Sequence, residues 1–362
     1  MIRRPTRSVS IGPFTIGSEH PIRVQSMTNT PPQNVAETMT QIRQLYEAQC
    51  EIIRLSIPNR QAILSLQKIQ RQLQNDKIPI ALVADVHFSP SIALACIPFA
   101  HKVRINPGNF NENFTAFTEL IRSAKREGTA IRIGVNGGSL SKKILEKYGN
   151  GGEAMYQSTL PFLEIADAEG FNQMVLSFKA SDVGATVTHH REILPKLDQR
   201  GFNFPLHLGL TEAGDGVYGR IKSAIAMGSL LLDGMGDTVR VSLTENPVQE
   251  IAVAYDILQA CGKRFHRAEY IACPSCGRTQ FDIQSVFAAI KEKTAHLVGI
   301  KIAVMGCMVN GLGEMGDADF GYVGAGPGKV NLYRRNQCVK TNIPEQNAVT
   351  ELLKIIEASR IS

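Results

Sequence analysis

The sequence has no run of about 18 apolar residues, so nothing in it reads as a membrane-spanning helix. Its basic start, Met-Ile-Arg-Arg-Pro-Thr-Arg-Ser, is followed by no apolar core of a signal peptide. The expected setting is therefore cytoplasmic. Lysines and arginines are spread rather than clustered, and the net charge is only +6. A nucleic-acid groove is not expected from that pattern. No dinucleotide fingerprint is present. The run Gly324-Ala-Gly-Pro-Gly-Lys329 leads into a strand-like segment, where a nucleotide loop needs a helix. The seven cysteines are odd in number, and Cys50, Cys96, Cys261 and Cys338 are scattered. That argues against a disulfide framework and for buried thiols.

What is present suits two globular domains: 362 residues, 43% hydrophobic and 20% charged. The modest positive balance suits an anionic small substrate and an acidic protein partner. A strand followed by a helical segment recurs eight times. The strand candidates are Ile22–Thr28, Glu51–Ile57, Pro79–Val86, Lys102–Pro107, Ala130–Asn136, Gln173–Ala180, Pro205–Thr211 and Asp237–Thr244. They are short and rich in Val, Ile and Leu, as strands buried on both faces are. Helices between them include Asn111–Glu127, Tyr156–Glu169 and Pro247–Cys261. The pattern predicts an α/β fold, a TIM (β/α)8 barrel over residues 1–265. A smaller α/β domain follows over 266–362. The longest connection, Gly137–Gly152, reads as a loop over the barrel mouth.

Strand alternation sorts the barrel residues into two faces. Arg54 and Ser56, Asp85 and His87, Arg104 and Asn106, Arg132 and Asn136, Ser177 and Lys179, and Arg240 and Ser242 oppose apolar neighbours. The polar set must then face the lumen near the strands' C-terminal ends, where barrel enzymes react. So many cations need an anion, and guanidinium forks match phosphate oxygens. His207 and Glu212 add titratable groups at the same rim.

In the second domain Cys273-Pro-Ser-Cys276 precedes Cys307 in a C-x2-C-x30-C arrangement, with Glu314 seven residues further on. An iron–sulfur cluster with three thiolates, a structural zinc site and neither of these all remain open from spacing alone. A cluster held by three cysteines would leave one iron with an exchangeable ligand.

Together the ordered stretches Val24–Thr30, Val83–Phe88, Arg104–Asn109, Arg132–Asn136, Lys179–Val183, His207–Gly214, Gly236–Leu243, Cys273–Arg278 and Gly306–Glu314 carry a resemblance. The chain resembles the bacterial 4-hydroxy-3-methylbut-2-en-1-yl diphosphate synthase family of the methylerythritol phosphate route to isoprenoids. The resemblance implies reductive ring opening and dehydration of 2-C-methyl-D-erythritol 2,4-cyclodiphosphate to the open-chain diphosphate. It implies a 4Fe–4S cluster on Cys273, Cys276, Cys307 and Glu314. The diphosphate set falls on Arg54, Arg104, Arg132, Lys179 and Ser242, with His87 and Asn136 nearby; Asp85, on the same strand face as His87, is a further substrate-binding candidate. Glu212 matches the acid implicated in proton transfer. Reduced ferredoxin or flavodoxin is the implied electron donor. One departure stands out: Leu312 occupies a position where the family has proline, which loosens the expected loop around Glu314.

Connectivity adds an expectation about assembly. The last barrel helix returns to the face opposite the site, and the linker Gly262–Ala272 spans at most roughly 36 Å. A head-to-tail homodimer, each cluster domain capping the partner's barrel, answers this and matches the family. Two alternatives stay open. One is a barrel enzyme on another phosphorylated or pteridine-like substrate with a structural zinc domain. The other is a non-catalytic iron–sulfur protein.

Overall fold

In the computed structural model residues 2–361 are described except Phe88, Asn111 and Glu112; the side chains at 109, 310–312, 360 and 361 are also outside the description. The chain divides into two compact units, Met1–Arg264 and Phe265–Ser362.

The first unit opens with a hairpin, β1 (Val9–Ile11) and β2 (Phe14–Ile16). Eight barrel strands follow: β3 (Arg23–Met27), β4 (Ile52–Ser56), β5 (Ala81–Asp85), β6 (Lys102–Ile105), β7 (Ala130–Asn136), β8 (Met174–Lys179), β9 (His207–Leu208) and β10 (Thr238–Val239). Neighbouring strands pair in parallel in the order β8-β7-β6-β5-β4-β3-β10-β9. A bridge between Leu176 and Leu206 closes the ring. The chain thus forms a TIM barrel. The helices are α1 (Val35–Glu47), α2 (Arg60–Asn75), α3 (Pro90–Cys96), α4 (Phe114–Glu127), α5 (Lys142–Tyr148), α6 (Gly152–Ala168), α7 (Val183–Gln199), α8 (Gly216–Leu232) and α9 (Pro247–Ala260). None is long and apolar enough to cross a membrane.

Local chemistry explains where these helices start. Asn34, Asn59, Ser89, Asn113 and Asp182 each accept a backbone N–H of the first turn, which satisfies a donor that has no partner within the helix. Asn113 sets the start of α4 at Phe114; the expected start at Asn111 lies outside the described residues. The expected open loop Gly137–Gly152 instead contains α5. Ser141 caps that helix on the N–H of Ile144, and Gly149 stops it in a left-handed conformation. The last two barrel strands, β9 and β10, are shorter than the sequence pattern, two residues each. Beyond β10 the N–H of Arg240 still donates to the carbonyl of Leu208 at 3.0 Å, and a Cβ at Gly209 would sit 2.6 Å from the carbonyl oxygen of Arg240.

The apolar strand faces pack against the helices in one large core. At the other end of the lumen, Val9, Ile11 and Ile16 of the hairpin pack with Ile52, Ala81, Val83, Ala130 and Val175. These form an apolar floor at the N-terminal ends of the strands. Arg264 marks the end of this unit. Its Nη1 donates to the carbonyl of Ile22 and to Glu51 Oε2, at 3.0 and 2.6 Å. Both partners immediately precede strands β3 and β4, so the chain leaves the barrel at the floor end. Cys50 and Cys96 are buried there among helices and strands, and burial pushes each thiol up to about 12.

The second unit is a five-stranded sheet, β11 (Glu269–Ala272), β12 (Lys301–Met305), β13 (Phe320–Gly326), β14 (Lys329–Arg334) and β15 (Gln337–Pro344), paired in that order. The first three strands are parallel and the last two antiparallel. Helix α10 (Ile283–Thr294) links β11 to β12, α11 (Met308–Glu314) links β12 to β13, and α12 (Glu345–Ile361) ends the unit. Alternation splits β12: Ile302 and Val304 join one core, Ala303 and Met305 the other. The Gly-rich stretch Gly321–Gly328 lies largely within β13. Its glycines admit close neighbours: a Cβ at Gly324 would sit 2.4 Å from the carbonyl oxygen of Gly306.

Candidate active site and metal centre

Register brings the lumen cations to one level. Asp85 pairs with Arg104, Arg104 with Arg132, and Asn136 with Lys179 across neighbouring strands. Arg54 Nε is 3.6 Å and Arg104 Nη1 3.2 Å from the Asp85 carboxylate. His87 Nε2 lies 3.2 Å from Asp85 and 3.1 Å from Arg104. Burial alone would raise the Asp85 pKa; Arg54, the His87 hydrogen bond and Arg104 outweigh it and hold the carboxyl well below its usual range. Breaking such a buried pair costs about 3–5 kcal/mol.

Arg132 has no such partner. It is 1% exposed, and its Nε and Nη1 are buried without a hydrogen bond. Burial, then Arg54 and Arg104, hold it well below the usual arginine range. Lys179 is buried beside it, and burial followed by Arg132 and Arg54 lowers it in the same way. Arg240 is shared with Glu250, at 3.5 Å, which also accepts a hydrogen bond from Ser26. The counter-charge in the lumen is thus Asp85 and Glu250 against Arg54, Arg104, Arg132, Lys179 and Arg240, before Lys102 is considered. This imbalance suits an anion rather than a closed ion-pair network.

Two glycines make room for the cations. A Cβ at Gly134 would lie 2.7 Å from Arg104 Nε, and one at Gly209 would lie 2.8 Å from Lys179 Nζ. Gly134 opens the stretch Gly134–Gly138, which reads in the sequence either as an anion cradle or as a tight turn; Gly209 was not among the expected site residues. Lys102 was likewise passed over, because a lysine that opens a strand reads as an exposed strand end. Glu250 is on α9, and no strand pattern could have joined it to the lumen.

The structure separates His207 from Glu212. His207 is fully buried in the lumen, with Nδ1 2.8 Å from Thr238 Oγ1 and Nε2 unpartnered. It is not at the rim. Glu212 is exposed on the loop after β9, in a left-handed conformation at φ 58°. A non-glycine residue holds that conformation at some cost, often at functional positions. Asn136 ends β7 and Ser242 follows β10, both half-buried.

In the second unit adjacent parallel strands converge on the cysteines. Ala272 ends β11 opposite Val304 of β12, so the following loops leave the same sheet edge. Cys273, Cys276, Cys307 and Glu314 line one cavity of about 150 Å³, together with Pro274, Arg278 and Met305. The N–H of Gly306 donates to Cys273 Sγ at 3.1 Å. Cys276 N–H donates to Thr279 Oγ1 at 3.0 Å. The backbone N–H of Arg278, and then its charge, hold the exposed Cys276 thiol below the usual range, which favours thiolate. Among the described residues no three His, Cys, Asp or Glu side chains converge as one metal ion requires. Cys273, Cys276, Cys307 and Glu314 ring a cavity instead, and three thiols with a carboxylate are a donor set that fits an iron–sulfur group. Glu314 ends helix α11, where the sequence reading placed a loop; the side chain of Leu312 lies outside the described residues.

Comparison with known proteins gives the same division. Residues 6–255 match the GcpE TIM-barrel domain and residues 269–358 the GcpE protein C-terminal domain. A curated relative from Synechococcus sp. (strain JA-3-3Ab), 4-hydroxy-3-methylbut-2-en-1-yl diphosphate synthase (ferredoxin), is 45% identical over 98% of this chain and 92% of its own. One of the same description from Trichormus variabilis is 44% identical over 98% of this chain and 92% of its own. Among solved structures, type I 3-dehydroquinate dehydratase from Clostridium difficile aligns with a TM-score of 0.52 at 10% identity. It covers 72% of this chain and 99% of its own, a likeness of fold.

Proposed function

The chain belongs to the GcpE family, and on that premise we propose that it converts 2-C-methyl-D-erythritol 2,4-cyclodiphosphate to 4-hydroxy-3-methylbut-2-en-1-yl diphosphate. The observation that carries this reading is the excess of buried cations over carboxylates in the lumen, with Arg132 unpartnered. Arg54, Arg104, Arg132 and Lys179 grip the diphosphate, and Ser242 and Asn136 add neutral hydrogen bonds. Asp85 and His87 hold Arg104 in place. Glu212, exposed on its strained loop, delivers a proton to the departing hydroxyl, which leaves as water.

Cys273, Cys276, Cys307 and Glu314 would hold a 4Fe–4S cluster, which supplies electrons one at a time. A carboxylate is the weakest of these four ligands, so Glu314 is the one suited to exchange. The relatives' description makes a ferredoxin the expected donor, with flavodoxin the second choice. The cytoplasm is the matching compartment. Departure of the chain at the barrel floor supports a head-to-tail homodimer, each cluster domain serving the partner's barrel.

Anaerobic purification with metal and sulfide analysis tests the cofactor. Iron and acid-labile sulfide in equal amounts are expected, and zinc without sulfide would overturn it. Conversion of the cyclic diphosphate with reduced ferredoxin tests the activity. A mixture of Cys307→Ser and Arg104→Ala chains tests the dimer: each is inactive alone, and the mixed dimer recovers activity. No recovery counts against a shared site.

A further inference from the structure

The proposed chemistry gives no role to two lumen cations, Arg240, which Glu250 pairs, and Lys102, which among the described residues has no carboxylate partner. Lys102 shares the inward face of β6 with Arg104, one layer nearer the floor. Register sets it beside Val83 and Ala130, both part of that apolar floor. The side chain is fully buried. Its Nζ reaches across the lumen to Gln25 Oε1 on β3, a neutral acceptor at 3.4 Å.

The charged groups around it are mostly of its own sign. Arg132 on β7 and Arg54 on β4 act on it directly, and Arg104 on β6, Lys179 on β8 and Arg240 after β10 complete the cations of the lumen. The acids are Asp85 on β5 and Glu250 on α9. Asp85 is already engaged by Arg54, His87 and Arg104, and Glu250 by Arg240 and Ser26. His207 on β9, the remaining titratable group, is itself buried among Arg132, Lys179 and Lys102. Among the described residues no carboxylate forms an ion pair with Lys102. A desolvated ammonium with cationic neighbours is costly, so the amine favours its neutral form. Burial, then Arg132 and Arg54, hold Lys102 well below the usual lysine range. A phosphate group just above reverses that balance.

We propose that Lys102 takes up a proton from solvent when the diphosphate enters the cage of Arg54, Arg104, Arg132 and Lys179, and supplies a further positive charge beneath it. This rests on the diphosphate reading of the lumen. Lys102 acts on the ligand through the arginine tier rather than by contact. The device keeps the empty lumen from carrying the full charge that the occupied one needs. The sign follows from linkage. A group protonated more readily in the complex makes affinity highest below its free-protein pKa. Affinity then declines as pH rises toward the pKa in the complex, and levels off beyond it.

The test is calorimetric titration of oxidised, cluster-loaded protein with the cyclic diphosphate, in buffers of different ionisation enthalpy. Without reductant the ligand binds and is not consumed. Each of its phosphorus atoms carries one ester and one anhydride link and a single strongly acidic oxygen, so its own charge is constant over the buffer range. Wild type is expected to take up about one proton per site near neutral pH, and Lys102→Met to lose that uptake while binding about tenfold more weakly. Met conserves volume and removes a buried unpaired amine, so the fold should tolerate it. Lys102→Gln is the second variant, with the same expected loss of uptake. Unchanged uptake in a variant that still binds overturns the proposal, as does a wild type that binds without proton uptake. A wild type that fails to bind overturns the diphosphate reading itself, a distinct result.

Discussion

In the barrel lumen Arg132 and Lys102 are buried without a carboxylate, whereas in the second unit Cys276 is exposed and Cys273 and Cys307 are half-buried. The lumen groups sit on strands, in a register fixed by eight parallel neighbours. The cysteines sit on loops that leave one sheet edge. The difference follows from what each region must receive. A small anion enters a finished barrel and gains most from donors that are already dry and aimed. A metal group must be delivered to thiols that its donor can reach. The lumen therefore carries stored electrostatic cost before any ligand arrives, and the cysteine cavity carries little.

The largest expected effect separates the two regions outright. Cys307→Ser should lower ferredoxin-driven turnover by more than about a hundredfold, beyond the loss seen when only a ligand's supporting group is removed. Iron content should fall, while binding of the cyclic diphosphate by calorimetry persists. Loss of both functions together would dissolve the distinction. Next is Glu212→Gln, for which turnover should fall about a hundredfold or more with substrate affinity nearly unchanged. Normal turnover would remove Glu212 from the chemistry. Arg132→Met should weaken diphosphate binding about ten- to a hundredfold, the scale of a lost charged hydrogen bond. The same variant should raise the thermal midpoint, because it relieves a buried, unpaired cation. A lowered midpoint would mean that the lumen stores no such cost. The smallest effect belongs to Gly134→Ala. The added Cβ pushes on Arg104 by tenths of an ångström and should weaken binding up to about tenfold, with iron content unchanged. Unaltered affinity would show that Arg104 has slack.

Much of this was legible before the structure. Parity along single strands placed Arg54, Asp85, Arg104, Arg132 and Lys179 on one face, because side-chain alternation is local. What parity could not give was depth. His207 reads like a rim residue, yet the short ladder at β9 sets it fully buried against Thr238. Lys102 was hidden among ordinary strand residues because only the hairpin floor and Gln25 define its surroundings. Helix α5 carries an ordinary Ser cap and Gly stop, signals that the glycines around it obscured. Helix α11 contains two glycines in seven residues, a composition that argues for a loop, and tertiary packing overrides it.

The sequence by itself determined the barrel, the inward face of six of its strands and the spacing that groups three cysteines with a glutamate. All depend on periodicity and spacing along one chain. Tertiary structure alone decided which cations are paired. Asp85 satisfies Arg54 and Arg104 because β4 and β6 flank β5 in the sheet, whereas Arg132, a strand further on, is left without a carboxylate. Charge balance in a low-dielectric lumen depends on distances between strands, and a linear sequence does not contain those distances.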